Sequence, residues 1–452
     1  MKKKTSKKTK PKKKSPDRRQ AATKVIKVDY LARVEGEGAL YLKYKKDQVE
    51  EVRLKIFEPP RFFEAFMQGR DFSEAPDITA RICGICPVAY QMSAVHAMEN
   101  ALGVQIPEHI RLLRRLLYCG EWIESHVLHI YMLHAPDFLG VPDVMTMAKT
   151  HKKEVERGLR QKKRGNQIVR VLGGREIHPI NVKIGGFYHL PSAEEFAQLK
   201  EELKKGREEA WETLKFASRL EYPDFERQVE FVSLLHDSDY PMNEGRIAST
   251  TDLNIAMQEY EDHFEEEHIA YSHALMSRRK GRGSYLVGPM ARFNLNYDRL
   301  SSVAQEGARD VGLAPICLNP FRSLLVRAVE VLYAFDEAVR VLESLSGSLA
   351  PSVPVVVDKS CRGSWATEAP RGLLYHRYEL NVDGTIRTAQ IIPPTSQNQR
   401  TIEEDLRELV MANPKWSDEK MRHRCEQAIR NYDPCISCAT HFLKIKKEQV
   451  EE

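Results

Sequence analysis

The sequence has no run of about 18–20 consecutive apolar residues, the length that a membrane-spanning helix requires. It also lacks the apolar segment that a secretory signal needs near the N-terminus. These absences predict a cytoplasmic protein with no membrane span. The eight cysteines of such a chain argue for metal or redox use and against a disulfide framework.

Acidic residues are missing from the first 14 positions, which carry nine lysines. Because these lysines exceed the formal net charge of +5, the remainder of the chain is mildly acidic. We expect residues 1–23 to form a disordered, solubilising tail. Weak adhesion to nucleic acid or to an anionic membrane is the alternative use of the tail. A specific nucleic-acid interface needs basic patches with interleaved aromatics, and none occurs outside the tail.

Two Cys-x-x-Cys pairs lie near opposite ends of the chain, Cys83-Gly-Ile-Cys86 and Cys435-Ile-Ser-Cys438. Four thiolates in two short loops can close a tetrahedral or square-planar site, and soft sulfur selects zinc, iron–sulfur, copper(I) or nickel. A structural zinc site usually has about 15–20 residues between its pairs, whereas roughly 350 residues separate these. The spacing favours a metal at the centre of a large fold, with a four-cysteine zinc site as the alternative.

The spacing of apolar residues predicts a helix-dominated α+β fold. Alternation with period two predicts strands within Lys24–Pro59 and within Thr367–Ile392. Helical spacing with end signals predicts the helices, which are Val88–Leu102, Pro107–Leu133, Ser192–Leu220, Thr251–Ser277, Phe321–Leu345 and Ile402–Tyr432. The basic stretch Lys153–Asn181 is expected to be an exposed loop or hairpin.

A four-thiolate site requires Cys83 and Cys435 to meet in space. This constraint makes independent N- and C-terminal domains implausible. We therefore expect residues 24–441 to form one domain, with small sheets near both of its ends.

The flanks of the two cysteine pairs resemble the metal motifs of one enzyme family. Arg81-Ile-Cys-Gly-Ile-Cys86, followed by an aliphatic helix, and Asp433-Pro-Cys-Ile-Ser-Cys438-Ala-Thr-His441 look like the motifs of the large subunit of nickel–iron hydrogenases. Both stand in the family's order, and the similarity runs from Arg33 to His441. The resemblance implies the fold of that subunit, with central long helices, and reversible heterolytic cleavage of H2 at a nickel–iron site.

The resemblance also implies a role for each cysteine of the two pairs. All four would bind nickel. Cys86 and Cys438 would also bridge to an iron that carries carbon monoxide and cyanide, whereas Cys83 and Cys435 would be terminal ligands. Thiolates donate enough charge to make nickel redox-active. Cys435 is then the nearest base for the proton of a split hydrogen molecule.

Further positions match the family one at a time. Glu35, in Arg33-Val-Glu-Gly36, corresponds to the glutamate that takes protons from the terminal thiolate; read alone, it is an exposed turn carboxylate. Arg371, in Ala369-Pro-Arg-Gly372, matches the arginine above the open face of the metals; read alone, it is a surface arginine after a turn. The residues implied to line the cyanide ligands or to support this arginine are Pro370, Thr395 or Ser396, and Asp433.

Glu64, in Arg61-Phe-Phe-Glu64, and His441 resemble the side-chain ligands of a magnesium or iron ion near the C-terminus. A carboxylate suits a hard cation, and waters would complete an octahedron. His126 and His129 are expected to be satisfied core histidines rather than metal ligands. The four remaining cysteines are expected to be small buried hydrophobes, and they are Cys119, Cys317, Cys361 and Cys425.

Two departures from the family pattern indicate a branch. Many relatives have His after the first Glu-Gly, where this chain has Glu37, and membrane-bound relatives have His-Asp-His at Glu124-Ser125-His126. The missing aspartate weakens a charge partner of Arg371. Both changes fit the cytoplasmic, reversible branch that couples hydrogen to NAD(P) or to polysulfide. A deazaflavin- or ferredoxin-linked hydrogenase is the alternative within the family.

The chain shows no route for moving electrons away from such a site. It has no further cysteine cluster for iron–sulfur centres, and Tyr41 stands where the third glycine of a dinucleotide fingerprint belongs. A partner small subunit with iron–sulfur clusters is therefore required, and the resemblance implies flavin and NAD(P) subunits beyond it. The alternative from another class is an electron-transfer scaffold such as the related quinone-module subunit of respiratory complex I, which lacks the four cysteines.

The resemblance further implies that a maturation protease removes residues 442–452 once nickel is in place, because a charged tail is hard to bury beside a closed metal site. We predict cleavage between His441 and Phe442. Intact-mass measurement should give a chain ending at His441 in the active enzyme and the full chain in the metal-free precursor. An active enzyme that keeps Val450-Glu-Glu452 would contradict this prediction.

Overall fold

The computed structural model describes residues 23–45, 48–347 and 349–440. Helices dominate these ranges, and small sheets lie before and after the helical centre, which confirms the α+β expectation. No helix in them is long and apolar enough to cross a membrane. Except for Thr23, the expected N-terminal tail lies outside these ranges, as do His441 and the expected C-terminal extension.

The helices are α1 (Phe63–Met67), α2 (Ala75–Thr79), α3 (Pro87–Leu102), α4 (Glu108–Leu128), α5 (Ala135–Phe138), α6 (Val144–Thr150), α7 (Lys152–Gly173), α8 (Ala193–Ser218), α9 (Tyr260–His263), α10 (Pro289–Asn296), α11 (Ser302–Asp310), α12 (Ser323–Ser344), α13 (Pro394–Ala412) and α14 (Asp418–Arg430). In the helical centre, α4 packs against both α7 and α12, and α12 also packs against α8. Local signals set the helix ends: Pro87 opens α3, Gly103 closes it with φ of 66°, and Ser192 with Glu195 forms a capping box on α8.

The strands of the sheets pair antiparallel. Three sheets are meanders, made of β1 (Lys24–Val28), β2 (Gly38–Lys45) and β3 (Gln48–Ile56), of β6 (Val232–Leu235), β7 (Arg246–Ser249) and β8 (Asn254–Ile255), and of β11 (Cys361–Ala369), β12 (Gly372–Leu380) and β13 (Ile386–Ile392). Two are hairpins, made of β4 (Val182–Lys183) with β5 (Gly186–Phe187) and of β9 (Phe264–His268) with β10 (Leu275–Arg279). The first and last meanders are the two sheets expected near the ends of the domain.

A π-helical turn, His129–His134, continues α4. Such turns are rare and often occur at functional sites. The Nε2 atoms of His129 and His134 lie 2.8 Å from Arg430 O and from Asn431 Oδ1, respectively. The turn therefore holds the end of α14, from which the chain enters the second cysteine loop.

The expectation of an exposed loop at Lys153–Asn181 was wrong, because most of this stretch is α7. Its buried face includes glycines as well as apolar residues. A Cβ on Gly165 would lie 2.7 Å from Gly120 O of α4, and one on Gly158 would lie 2.7 Å from the ring of Tyr131. The helices approach so closely that glycine replaces the expected apolar side chains, which hides the helical pattern.

The helix expected over Thr251–Ser277 was also wrong. This stretch contains β8, the short helix α9, β9 and most of β10. Three consecutive glutamates, 265–267, lie in β9, where Glu265 lies opposite Arg278 of β10 with Glu265 Oε1 2.9 Å from Arg278 Nε. Cross-strand charge pairing stabilises the hairpin, and only the second strand reveals the pairing.

Both ends of the described chain contribute to one buried core, which runs from Ile26 to Cys438. Polar contacts join the same ends: Tyr44 of β2 donates to Asp418 of α14 at 3.1 Å, and the Leu54 amide of β3 donates to Glu403 of α13 at 2.8 Å. The N-terminal meander is thus fixed against the helices that lead into the second cysteine loop. The single domain at 24–441 stays a prediction.

Gly206 sets the distance between α8 and α12. We predict that Gly206→Ala lowers the free energy of unfolding, because its Cβ would lie 2.2 Å from Cε1 of the buried Phe335. Overpacking costs about 1–3 kcal/mol, which exceeds the gain of about 1 kcal/mol in helix propensity. Chemical denaturation should show the loss, with Lys205→Ala, an exposed neighbour, as the control. Equal or higher stability of Gly206→Ala would contradict the close packing.

Candidate metal centre

The four cysteines of the two pairs meet at one point in the core. Their sulfur atoms all lie within 4.8 Å of one another, and each cysteine is at most 3% exposed. The distances across the loops are 3.5 Å from Cys83 Sγ to Cys435 Sγ and 3.8 Å from Cys86 Sγ to Cys438 Sγ. Each of these contacts joins residues 352 positions apart. The sequence therefore predicted the meeting of the pairs correctly.

Backbone contacts shape each loop. Cys86 is the N-cap of α3, and the amides of Ile85 and Cys86 both donate to Cys83 Sγ at 3.3 Å. In the second loop, Asp433 takes a left-handed conformation, with φ of 51°, which turns the chain out of α14. The Cys435 amide donates to Thr395 Oγ1 at 2.9 Å, which anchors this loop to the start of α13.

Arg61 ties the two loops together. Its Nη2 donates to Ile82 O at 2.7 Å and also to Ser437 O. These two carbonyls belong to different cysteine loops, one residue before Cys83 and one before Cys438. In the sequence, Arg61 stands out only as part of the Glu64 motif, because nothing in that motif reveals a contact across 376 positions.

The sulfur donors fit a soft or borderline metal ion. Contacts with the neighbouring cysteines, first with Cys435, hold the pKa of Cys83 well below its usual range. Burial raises the pKa of Cys435 and of Cys438. Since a metal binds thiolates, loading this site has to displace the thiol protons.

Arg371 lies beside the cysteines, and its partner is Asp433. Arg371 Nε donates to Asp433 O at 2.7 Å, and Nη2 donates to Asp433 Oδ1 at 3.1 Å. Burial opposes its charge, but Asp433 and then the cysteine thiolates raise the pKa of Arg371 above its usual value. Its Nη1 is buried and has no hydrogen-bond partner among the described residues. Asp433 is thus a charge partner of Arg371, although Ser125 stands where an aspartate would be the other expected partner.

The free Nη1 of Arg371 can donate a hydrogen bond to a polar ligand on the metal. An unpaired buried donor is costly unless a bound group accepts its hydrogen bond. Three other expected residues, Pro370, Thr395 and Ser396, are buried. Pro370 O accepts from Arg292, Thr395 holds the Cys435 amide, and Ser396 Oγ donates to Pro393 O at 2.9 Å.

Glu35 reaches Cys435 from the N-terminal part of the chain. The two residues form a parallel β-bridge, in which the Ile436 amide donates to Glu35 O at 2.9 Å. The Cys435 thiol donates to Glu35 Oε2 at 3.1 Å. The carboxylate is half-buried rather than exposed. Glu35 therefore lies beside Cys435, and its role in proton transfer stays a prediction.

Two residues that the sequence analysis missed extend this contact. Ser437 donates its hydroxyl to Glu35 Oε1, and its amide donates to Glu35 Oε2 at 3.0 Å. The same hydroxyl lies 3.1 Å from Oε2 of Glu58, which is half-buried. Ser437 stands inside the cysteine motif and could have been examined there, whereas Glu58 has no sequence signal.

The remaining expected residues are Glu64, two histidines and the four cysteines outside the two pairs. Glu64 is half-buried on α1 and accepts from the Ile391 amide at 2.7 Å. His126 and His129 are buried and contact protein groups, as expected for core histidines. Cys119, Cys317 and Cys425 are buried as predicted. Cys361 is only partly buried, because it begins the edge strand β11, so its expected burial was wrong.

Comparisons with known proteins agree on one family. The family model described as nickel-dependent hydrogenase matches residues 61–163 and 236–441. Sulfhydrogenase 2 subunit alpha of Pyrococcus furiosus is 35% identical over 426 residues, which cover 93% of this chain and 100% of that protein. The NAD-reducing hydrogenase HoxS subunit beta of Cupriavidus necator is 27% identical, over 92% of this chain and 94% of that one.

A solved structure shares the fold. The crystal structure of an NAD+-reducing [NiFe]-hydrogenase in the H2-reduced state superposes with a TM-score of 0.84 and 28% sequence identity. The match covers 93% of this chain and 100% of that chain. The residues that match the family model include both cysteine loops and the helices α4 and α12.

Proposed function

The chain belongs to the nickel-dependent hydrogenase family as a large subunit, an oxidoreductase that acts on hydrogen, and we propose roles for its residues on that basis. Cys83, Cys86, Cys435 and Cys438 bind nickel. Cys86 and Cys438 would also hold an iron that carries carbon monoxide and cyanide. The observation that carries this proposal is the approach of four buried sulfurs from two distant loops to within 4.8 Å. When bound, the two metals supply an open position at which hydrogen is split heterolytically.

Cys435 receives the proton and passes it to Glu35. The 3.1 Å contact between Cys435 Sγ and Glu35 Oε2 is short enough for direct transfer. Ser437 holds the carboxylate with two hydrogen bonds, so the acceptor oxygen keeps its direction. The Ser437 hydroxyl also contacts Glu58, which offers the next carboxylate outward.

Arg371 stabilises the polar groups at the open face of the metals. Its free Nη1 is the donor available for this role, because Nε and Nη2 are held by Asp433. Pro370, Thr395, Ser396 and Asp433 surround the cyanide ligands or support Arg371, as in the family pattern. Their near-complete burial supports a site from which water is excluded.

Glu64 and His441 hold a magnesium or iron ion near the C-terminus. Glu64 offers a carboxylate on α1, three residues after Arg61. The Arg61 amide donates to Thr440 O at 2.6 Å. Thr440 directly precedes His441 in the sequence. This contact supports the approach of the two proposed ligands, and a carboxylate with imidazole and water suits such an ion.

The electrons leave through a partner. A large subunit of this family implies a small subunit, and we propose that it carries iron–sulfur clusters and passes electrons to flavin and NAD(P) subunits or to polysulfide in a cytoplasmic complex. The names of the relatives, a sulfhydrogenase subunit and an NAD-reducing hydrogenase subunit, support these acceptors. Maturation by a dedicated protease would complete the site.

The proposal is tested by purifying the native complex anaerobically and measuring its metals and its hydrogen-dependent reduction of NADP, NAD and polysulfide. We expect nickel and iron in the complex and infrared bands of carbon monoxide and cyanide. Cys438→Ser should lose bound nickel and all activity, whereas Cys361→Ser, a partly buried cysteine outside the centre, should keep both. Zinc in place of nickel and iron, or a nickel-loaded complex without hydrogen activity, would contradict the proposal.

We predict that Glu35→Gln lowers hydrogen oxidation and proton–deuterium exchange by about 10²–10⁴-fold, because the amide cannot take the proton from Cys435. Nickel content should remain unchanged, since Glu35 is not a proposed ligand. Glu50→Gln, an exposed glutamate on β3, is the control. Exchange at the wild-type rate in Glu35→Gln would exclude Glu35 from proton transfer.

A further inference from the structure

A second buried arginine, Arg327 of α12, stands behind the pair formed by Arg371 and Asp433. Arg327 is 1% exposed, and its Nη1 lies 3.6 Å from Asp433 Oδ2. Arg371 Nη2 holds the other oxygen, Oδ1, at 3.1 Å. Asp433 thus accepts a hydrogen bond from Arg371 at Oδ1, whereas Oδ2, which has no hydrogen-bond partner among the described residues, faces the Arg327 guanidinium at ion-pair distance.

Arg327 is held in turn by a histidine. Its Nη1 donates to His126 Nδ1 at 3.1 Å, so Nδ1 acts as an acceptor. His126 Nε2 lies 2.9 Å from Glu330 Oε2. Burial lowers the pKa of His126 to about 4, which agrees with a neutral ring that carries its proton on Nε2.

The contacts continue from Glu330 back to the loop of Arg371. Arg292 Nε and Nη2 donate to the two oxygens of Glu330 at 2.8 and 2.7 Å. Arg292 Nη2 also donates to Pro370 O at 3.1 Å, and Pro370 directly precedes Arg371. The series forms a closed ring of buried contacts, made of Arg371, Asp433, Arg327, His126, Glu330, Arg292 and Pro370. We call it the arginine ring.

The arginine ring leaves little freedom to Arg371. Its backbone is held through Pro370 and its side chain through Asp433, and both restraints are themselves fixed by buried charged groups. A buried charge is retained only where partners compensate its desolvation. An arginine at 327 that served packing alone could be replaced by an apolar residue without effect on the metal site.

We propose that Arg327 is a positioning residue of the hydrogen-splitting site, which it serves by fixing Asp433 and thereby the direction of the free Nη1 of Arg371. This inference rests on the proposed function of the same site. The guanidinium of Arg327 contacts His126 and Asp433, so its effect on Arg371 passes through Asp433.

The test compares Arg327→Met and Arg327→Lys with the wild-type complex. Arg327→Met keeps an unbranched, apolar side chain of similar reach and removes the charge. We expect its kcat for hydrogen oxidation to fall by about 10–100-fold with little change in KM, because a misplaced Arg371 affects the transition state more than substrate entry. The infrared frequencies of carbon monoxide and cyanide should shift, and Arg327→Lys should recover most of both values.

Arg114→Met is the matched control. Arg114 is also fully buried, lies on α4 and pairs with both oxygens of Glu99 at 2.8 and 2.6 Å. It lies 12 residues from His126 along the same helix, which is about 18 Å. The control should lose stability without a shift of the infrared bands. A comparable loss of stability in Arg327→Met is therefore not by itself evidence for positioning.

Two results would contradict the inference. One is a nickel-loaded Arg327→Met complex with wild-type kcat and infrared frequencies. The other is an equal shift in Arg114→Met, which would indicate a general effect of removing a buried charge. If Arg327→Met fails to assemble, the inference is tested with Arg327→Lys. This variant keeps the positive charge and should retain the infrared frequencies and the pH profile of kcat. A wild-type complex without nickel or hydrogen activity would instead refute the proposed function.

Discussion

The convergence of four cysteine sulfurs from two distant loops is the constraint on which the rest of the structure depends. The loops have little regular structure of their own, and other parts of the chain hold them. Arg61 bonds a carbonyl of each loop, Glu35 pairs with the backbone of the second loop, and Thr395 anchors the Cys435 amide. The N-terminal meander and the C-terminal helices therefore have to be in place together before the sulfurs can meet. Metal binding and completion of the core are for this reason coupled.

Charge is the second organising feature of the interior. Several arginines are fully buried, among them Arg114, Arg292, Arg327 and Arg430, and each lies against a carboxylate or a carbonyl. Removing one partner of a buried ion pair typically costs about 3–5 kcal/mol, so these pairs specify one arrangement more than they add stability. Beside the cysteines, Arg371 provides fixed positive charge and keeps its Nη1 free where a metal ligand would accept a hydrogen bond.

The sequence predicted what local patterns encode. The cysteine pairs and the helix ends at Gly103 and Ser192 are short-range signals; the four cysteines meet as expected, and both helix ends are correct. Helix α7 was missed because Gly158 and Gly165 stand where apolar residues would show the period, and β9 was missed because its partner strand explains its acidic side chains. Glu58 and Arg327 could not be found at all. Their partners lie 379 and 106 positions away, and no local pattern records such contacts.

The separation of the cysteine pairs has a consequence for synthesis. At about 5–20 residues per second, a nascent chain carries Cys83 and Cys86 for roughly 20–70 s before Cys435 and Cys438 have been made. During that interval the first pair has no sulfur partners from the second loop and no contact from Ser437 through Arg61. Two adjacent thiols are then open to oxidation or to stray metal ions. The wide separation of the pairs thus leaves Cys83 and Cys86 unprotected for most of translation. A reducing compartment or a chaperone would have to protect them during that time.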